Sequence, residues 1–68
     1  MNRDQFLRAL RHYCKQNANV YHWRPGEGKG SHGTVYVDGR KTIVKSGELP
    51  KGYVNAVLKQ LGLDKDSL

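Results

Sequence analysis

Asp38-Gly39 stands between two runs of β-branched and aromatic residues, Thr34–Val37 and Arg40–Val44. An Asp-Gly pair in that setting is a strong local signal for a β-hairpin. The tight turns that follow the natural twist of two strands need φ > 0 at their central positions, and Asp and Gly tolerate it. The middle of the chain is therefore committed to antiparallel β structure, with strands expected over Ser31–Val37 and Arg40–Val44. Two registers compete. A two-residue loop sets Val35 opposite Thr42, whereas a three-residue loop with a bulge sets Val35 opposite Ile43. The second matches apolar with apolar and is the expected one.

A lone hairpin is marginal in water, so the flanking sequence must supply a third strand and a cover. Val20–Arg24 reads as that strand, and Pro25 stops it. Tyr21 and Trp23 bury more area than Val20 does and are expected to face the core, leaving Val20, His22 and Arg24 on the other side. Phe6, Leu7, Leu10, Tyr13 and Cys14 recur at three- and four-residue spacing, which predicts a helix over residues 3–16. Asn2 and Gln5 form its capping box, Asp4, Arg8, Arg11 and Lys15 its polar side, and Asn17 marks its end. Val54, Val57, Leu58 and Leu61 make a second stripe. Pro50 stands near its first turn, and Gly62 at its C-terminal cap with Leu63 behind it. The order is α-β-β-β-α: an α+β fold with a three-stranded antiparallel sheet, both helices on one face and the other face open.

Sixty-eight residues make a single domain, residues 1–68, with a small core and no room for a deep cleft or a large cofactor fold. Twelve Lys and Arg against six Asp and Glu give a net charge of +6, which points to an anionic partner, nucleic acid or an acidic surface. One cysteine, Cys14, excludes an internal disulfide and a multi-thiolate zinc site and suits a reducing compartment. No run approaches the ~20 apolar residues of a membrane span, and the polar start MNRDQF has no signal-peptide core. A cytoplasmic location is expected, with no membrane partner. His12, His22 and His32 lie ten residues apart without a carboxylate cluster, so neither a metal nor a cofactor is expected.

The densest unusual segment is RPGEGKGSHG, Arg24–Gly33. Gly28, Gly30 and Gly33 have G-x-G-x-x-G spacing, but a strand follows where a dinucleotide turn would open a helix, and the Walker pattern is absent. Two readings remain. The segment is a plain loop, or its glycines let backbone N–H groups approach a phosphate beside Lys29, Ser31 and His32. His32 carries the same choice between a solvated strand-end histidine and an acid–base group. His12 reads as solvated, and His22 as a possible ligand contact on the open face. Arg24, Lys29, Arg40, Lys41 and Lys45 are expected to gather around the strand ends and the first loop, with Arg8, Arg11 and Lys15 on a helix stripe. If one group meets single-stranded nucleic acid, each neutralised phosphate adds about −0.7 to the log–log salt slope.

GKGSHGTVYVDGRKTIV (residues 28–44) followed by GELPKGYVNAVLKQLGL (residues 47–63) resembles the HicA family of toxin ribonucleases. The likeness lies in Gly30-Ser31-His32 opening a strand, the hairpin, the Glu-Leu-x-x-Gly entry to the last helix, and that helix's ending at Val57–Gly62. It runs over residues 4–63. It implies a double-stranded-RNA-binding-domain-like fold, a cytoplasmic mRNA interferase that arrests translation, and a neutralising HicB-type antitoxin. It also implies His32 as the active-site histidine. Beside it, Arg24, Lys29, Gly30, Ser31 and Lys45 are the candidate RNA-binding residues. Gly33 stands where many members carry a second histidine, Val44–Gly47 where members often carry Pro and His, and the PGEGKG loop is enlarged. The alternatives are a non-catalytic RNA-binding module of the same fold and a module whose basic face meets an acidic protein.

Overall fold

The computed structural model describes residues 1–26 and 32–68. The element order is α1 (Arg3–Gln16), β1 (Tyr21–Pro25), β2 (Gly33–Val37), β3 (Arg40–Val44) and α2 (Lys51–Gln60). The strands form one antiparallel sheet in the order β1-β2-β3. Helix α1 begins as expected. The Asn2 side chain accepts from the Gln5 N–H at 2.8 Å, and the Gln5 side chain accepts from the Asn2 N–H at 2.9 Å. Two N–H groups that a helix start leaves unpaired are thus satisfied.

Phe6, Leu10 and Cys14 from α1, Val35, Val37 and Val44 from the sheet, Leu49, and Val57, Leu58 and Leu61 from the second helical segment make the buried core. Leu7, Tyr13, Tyr21, Trp23, Tyr53, Val54 and Leu63 pack partly buried against it. Helix α2 is entered through Pro50 as N-cap and closes with a Schellman motif at a left-handed Gly62 (φ +75°). The Leu63 N–H donates to Leu58 O at 2.8 Å and the Gly62 N–H to Lys59 O at 3.0 Å. The Arg40 side chain lies against Gly62, placing a cation beside the carbonyl end of α2.

The hairpin register differs from expectation. Val35 pairs with Thr42, and Ile43 pairs with Thr34, so the expected pairing of Val35 with Ile43 is not formed. The turn chemistry wins over apolar matching. Asp38 and Gly39 both take positive φ (50° and 85°), as a two-residue turn requires. Asp38 is also clamped to the approach to β1. Its carboxylate accepts from the Val20 N–H at 2.7 Å and from the Asn19 side-chain amide, and its own N–H donates to Val20 O at 3.0 Å. With that register Val44 enters the core while Ile43 stands 52% exposed on the open face. Strand β1 is shifted by one residue: it takes in Pro25 and leaves out Val20, which is 70% exposed. Strand β2 starts at Gly33, so the expected start at Ser31 is shortened, and His32 precedes the strand; Ser31 itself lies outside the described residues.

Candidate nucleic-acid interface

Strand alternation divides the sheet into two chemically different faces. Tyr21, Trp23, Val35, Val37 and Val44 turn toward the helices. His22, Arg24, Thr34, Tyr36, Lys41 and Ile43 share the opposite face, on which the described strands carry no carboxylate. Tyr36 occupies its middle, directly between His22 on β1 and Lys41 on β3. The Arg24 guanidinium lies 5.6 Å from the centroid of the Tyr36 ring, within cation–π range. Thr34, 4% exposed, sits between Arg24 and Ile43. A shallow groove of about 560 Å³ runs past Tyr36, Lys41 and Ile43.

The candidate site residues meet at the end of this sheet away from the Asp38-Gly39 turn. His32 is exposed and immediately precedes Gly33, which pairs with Pro25 on one side and Val44 on the other. Arg24 directly precedes Pro25, and Lys45 directly follows Val44, so the pairing brings Arg24, His32 and Lys45 to one edge of the molecule. The Lys45 ammonium lies 5.0 Å from the Tyr53 ring centroid, and the Lys45 N–H donates to the Tyr53 hydroxyl at 3.0 Å. The other candidate RNA-binding residues, Lys29, Gly30 and Ser31, lie outside the described residues. The expected gathering of Arg40 with this group does not occur. Arg40 pairs with Val37 at the turn end and rests against Gly62 on the helix side of the sheet. Lys41 stays on the open face, opposite Tyr36.

Gly33 owes its identity to packing. A Cβ built on it would stand 2.3 Å from Cη2 and 2.6 Å from Cζ2 of Trp23. The indole leans from its register partner Val35 onto the bare backbone of Gly33, while the Arg3 guanidinium lies 5.3 Å from its ring centroid. Position 33 therefore has no space for a side chain, and a second histidine there would collide with Trp23. No sequence motif announced this contact; only the register and the lean of the indole reveal it.

Elsewhere, Arg8, Arg11 and Lys15 are exposed along α1, and a cleft of about 310 Å³ between α1 and β1 is lined by Asp4, Leu7, Arg8, Arg11, Tyr21 and Trp23. Burial pushes the Tyr21 phenol up, against a smaller downward pull from Arg11. Burial likewise raises the Cys14 thiol, with the Asp38 charge adding to it. Among the described residues no group of three or more His, Cys, Asp or Glu could hold a metal ion, and no helix is long and apolar enough to cross a membrane.

No family model, no curated protein and no solved structure matches the chain.

Proposed function

We propose that the protein is a toxin of a toxin–antitoxin pair: an endoribonuclease that cuts mRNA without a metal ion and arrests translation. In this proposal a HicB-type antitoxin neutralises it in the cytoplasm. One observation carries the proposal: an exposed histidine, His32, stands at the end of a sheet face that bears Arg24 and Lys41 and no carboxylate among its described strand residues, with Lys45 flanking it. The likeness of residues 28–63 to HicA toxins supports it, as does the net charge of +6.

RNA carries its own nucleophile. His32 accepts the proton of a 2′-hydroxyl as that oxygen bonds to the adjacent phosphorus. The bond from phosphorus to the 5′-oxygen breaks, and a protonated group hands that oxygen a proton. The products are a 2′,3′-cyclic phosphate and a 5′-hydroxyl end. Lys45 is assigned as that acid, because its neighbour Val44 pairs with Gly33, the neighbour of His32. Tyr36 lies four residues along the chain from His32, on the order of 13 Å at strand rise, and His22 lies beside Tyr36. That separation suits them to holding RNA, not to protonating the same phosphate. Arg24 and Lys29, with the backbone of Gly30 and Ser31, are assigned to the phosphates.

The test uses purified protein, free of any antitoxin, on single-stranded RNA in buffer containing EDTA. The expected result is cleavage with cyclic-phosphate ends, lost in His32→Ala while RNA affinity persists. Intact RNA after incubation with the unmodified protein would overturn the catalytic assignment and leave the alternative, an RNA-binding module that does not cleave.

A further inference from the structure

We infer that the open face of the sheet is a platform for single-stranded RNA, on which Tyr36 stacks with a base and Arg24 and Lys41 meet the flanking phosphates on the path to His32. The inference deepens the ribonuclease proposal and rests on it only for the direction of the strand. Three features of the face select this occupant. The first is the ring itself. Tyr36, the fourth of the five residues of the middle strand, is half-buried, with β1 and β3 on either side and the Arg24 guanidinium over its ring, 5.6 Å from the centroid. A ring fixed in a sheet offers a base a flat partner with little entropy left to lose, and an adjacent guanidinium extends that surface.

The second is charge. Arg24 and Lys41 flank the ring, His22 lies opposite it, and the described strands place no Asp or Glu on this face. The described acidic residues sit elsewhere: Asp4 in α1, Asp38 in the turn, Glu48 before α2, and Asp64 and Asp66 after it. A polyanion laid across the strands of this face therefore meets two cations and no described carboxylate. The third is shape. The groove of about 560 Å³ beside Tyr36 and Ile43 is shallow, suited to a splayed strand. A duplex hides its bases in the stack and could not use the tyrosine, so single strands are selected over paired ones.

Binding is measured by fluorescence anisotropy with a fluorescein-labelled ten-nucleotide single-stranded RNA of mixed sequence, and with the same strand annealed to its complement. All proteins carry His32→Ala, so that cleavage does not enter. Tyr36→Ala is expected to weaken single-strand binding about five- to 150-fold, the range for losing one stacked base. Tyr36→Phe should stay within about twofold of the parent. Lys41→Ala, a change at an exposed site that leaves the fold alone, should reduce the log–log salt slope by about 0.7. The duplex should bind more weakly than the single strand.

Unchanged affinity in Tyr36→Ala, together with an unchanged slope in Lys41→Ala, would overturn the platform and leave the face to a protein partner. A Tyr36→Phe variant as weak as Tyr36→Ala would overturn stacking. If Tyr36→Ala fails to fold, the Lys41→Ala slope and the duplex comparison still decide. Failure of the two proposals is distinguishable. RNA held through Tyr36 but never cut by the unmodified protein removes the catalysis and keeps the platform; RNA cut but indifferent to Tyr36 and Lys41 does the reverse.

Discussion

Replacing Gly33 with alanine tests the packing that closes the sheet next to His32. The added Cβ would lie 2.3, 2.6 and 3.0 Å from Cη2, Cζ2 and Cζ3 of Trp23. Carbon atoms rest at about 3.5–4.0 Å, so the far edge of the indole must retreat by roughly 1.2 Å. It retreats from a packed position between the Arg3 guanidinium and the strand, and overpacking of this kind costs about 1–3 kcal/mol. Alanine also stiffens the unfolded chain, which returns about 0.4–1 kcal/mol where the backbone conformation is accessible to it; Gly33 is not among the positive-φ residues. The net expectation is a loss of about 1–2 kcal/mol. For a domain of this size that lowers the melting temperature by roughly 5–15 °C, out of a total stability of roughly 3–10 kcal/mol. Urea and thermal unfolding followed by far-ultraviolet circular dichroism give both numbers. Trp23→Phe removes the outer atoms of the indole, so Gly33→Ala should cost at least about 1 kcal/mol less in that background. Equal cost in the two backgrounds, or no cost in the parent, would refute the steric account.

Three further outcomes are expected. The Asp38 carboxyl is held below the usual carboxylate range by the Val20 N–H and then by the Asn19 amide, against a smaller upward push from desolvation. Its contribution to stability is therefore complete above the unfolded-state value and is lost as pH falls toward the folded one, so Asp38→Asn should flatten the acid limb of a melting-temperature profile below about pH 4. Cys14 is fully buried with a raised thiol, so its labelling by a disulfide reagent should proceed at the rate of native-state opening and accelerate sharply in urea. Ala18 takes φ 57° just beyond the C-cap of α1, a conformation that favours glycine, and Ala18→Gly should raise stability by about 0.5–1 kcal/mol in the same unfolding assay.

Most of the scaffold was legible because its signals are local and agree with one another. Asn2 and Gln5 announce the start of α1, the spacing of Phe6, Leu10 and Cys14 gives its buried stripe, and Gly62 closes the second helical segment. Tyr21 and Trp23 face the helices, as their size required. The register is not legible in the same way: apolar matching favours Ile43 opposite Val35, but Asp38 fixes the turn through bonds to residues eighteen and nineteen positions earlier. Such long-range clamps leave no periodicity to read. The candidate site divides in the same way. The open-face position of Arg24 followed from strand alternation, whereas His32 precedes β2 and its exposure had no periodicity behind it. The separation of Arg40 from Lys45 follows from their places at opposite ends of β3, but the place of Tyr36 between His22 and Lys41 depends on pairing across strands, which residue types alone do not encode.

The seat of Trp23 gives the molecule an optical gauge of its own. The chain has a single tryptophan, and its ring rests on the backbone of the residue that follows His32. A ligand that shifts residues 32 and 33 must disturb the indole's surroundings, so a change in tryptophan emission, excited to the red of the four tyrosines, has one source and reports occupancy without any attached label.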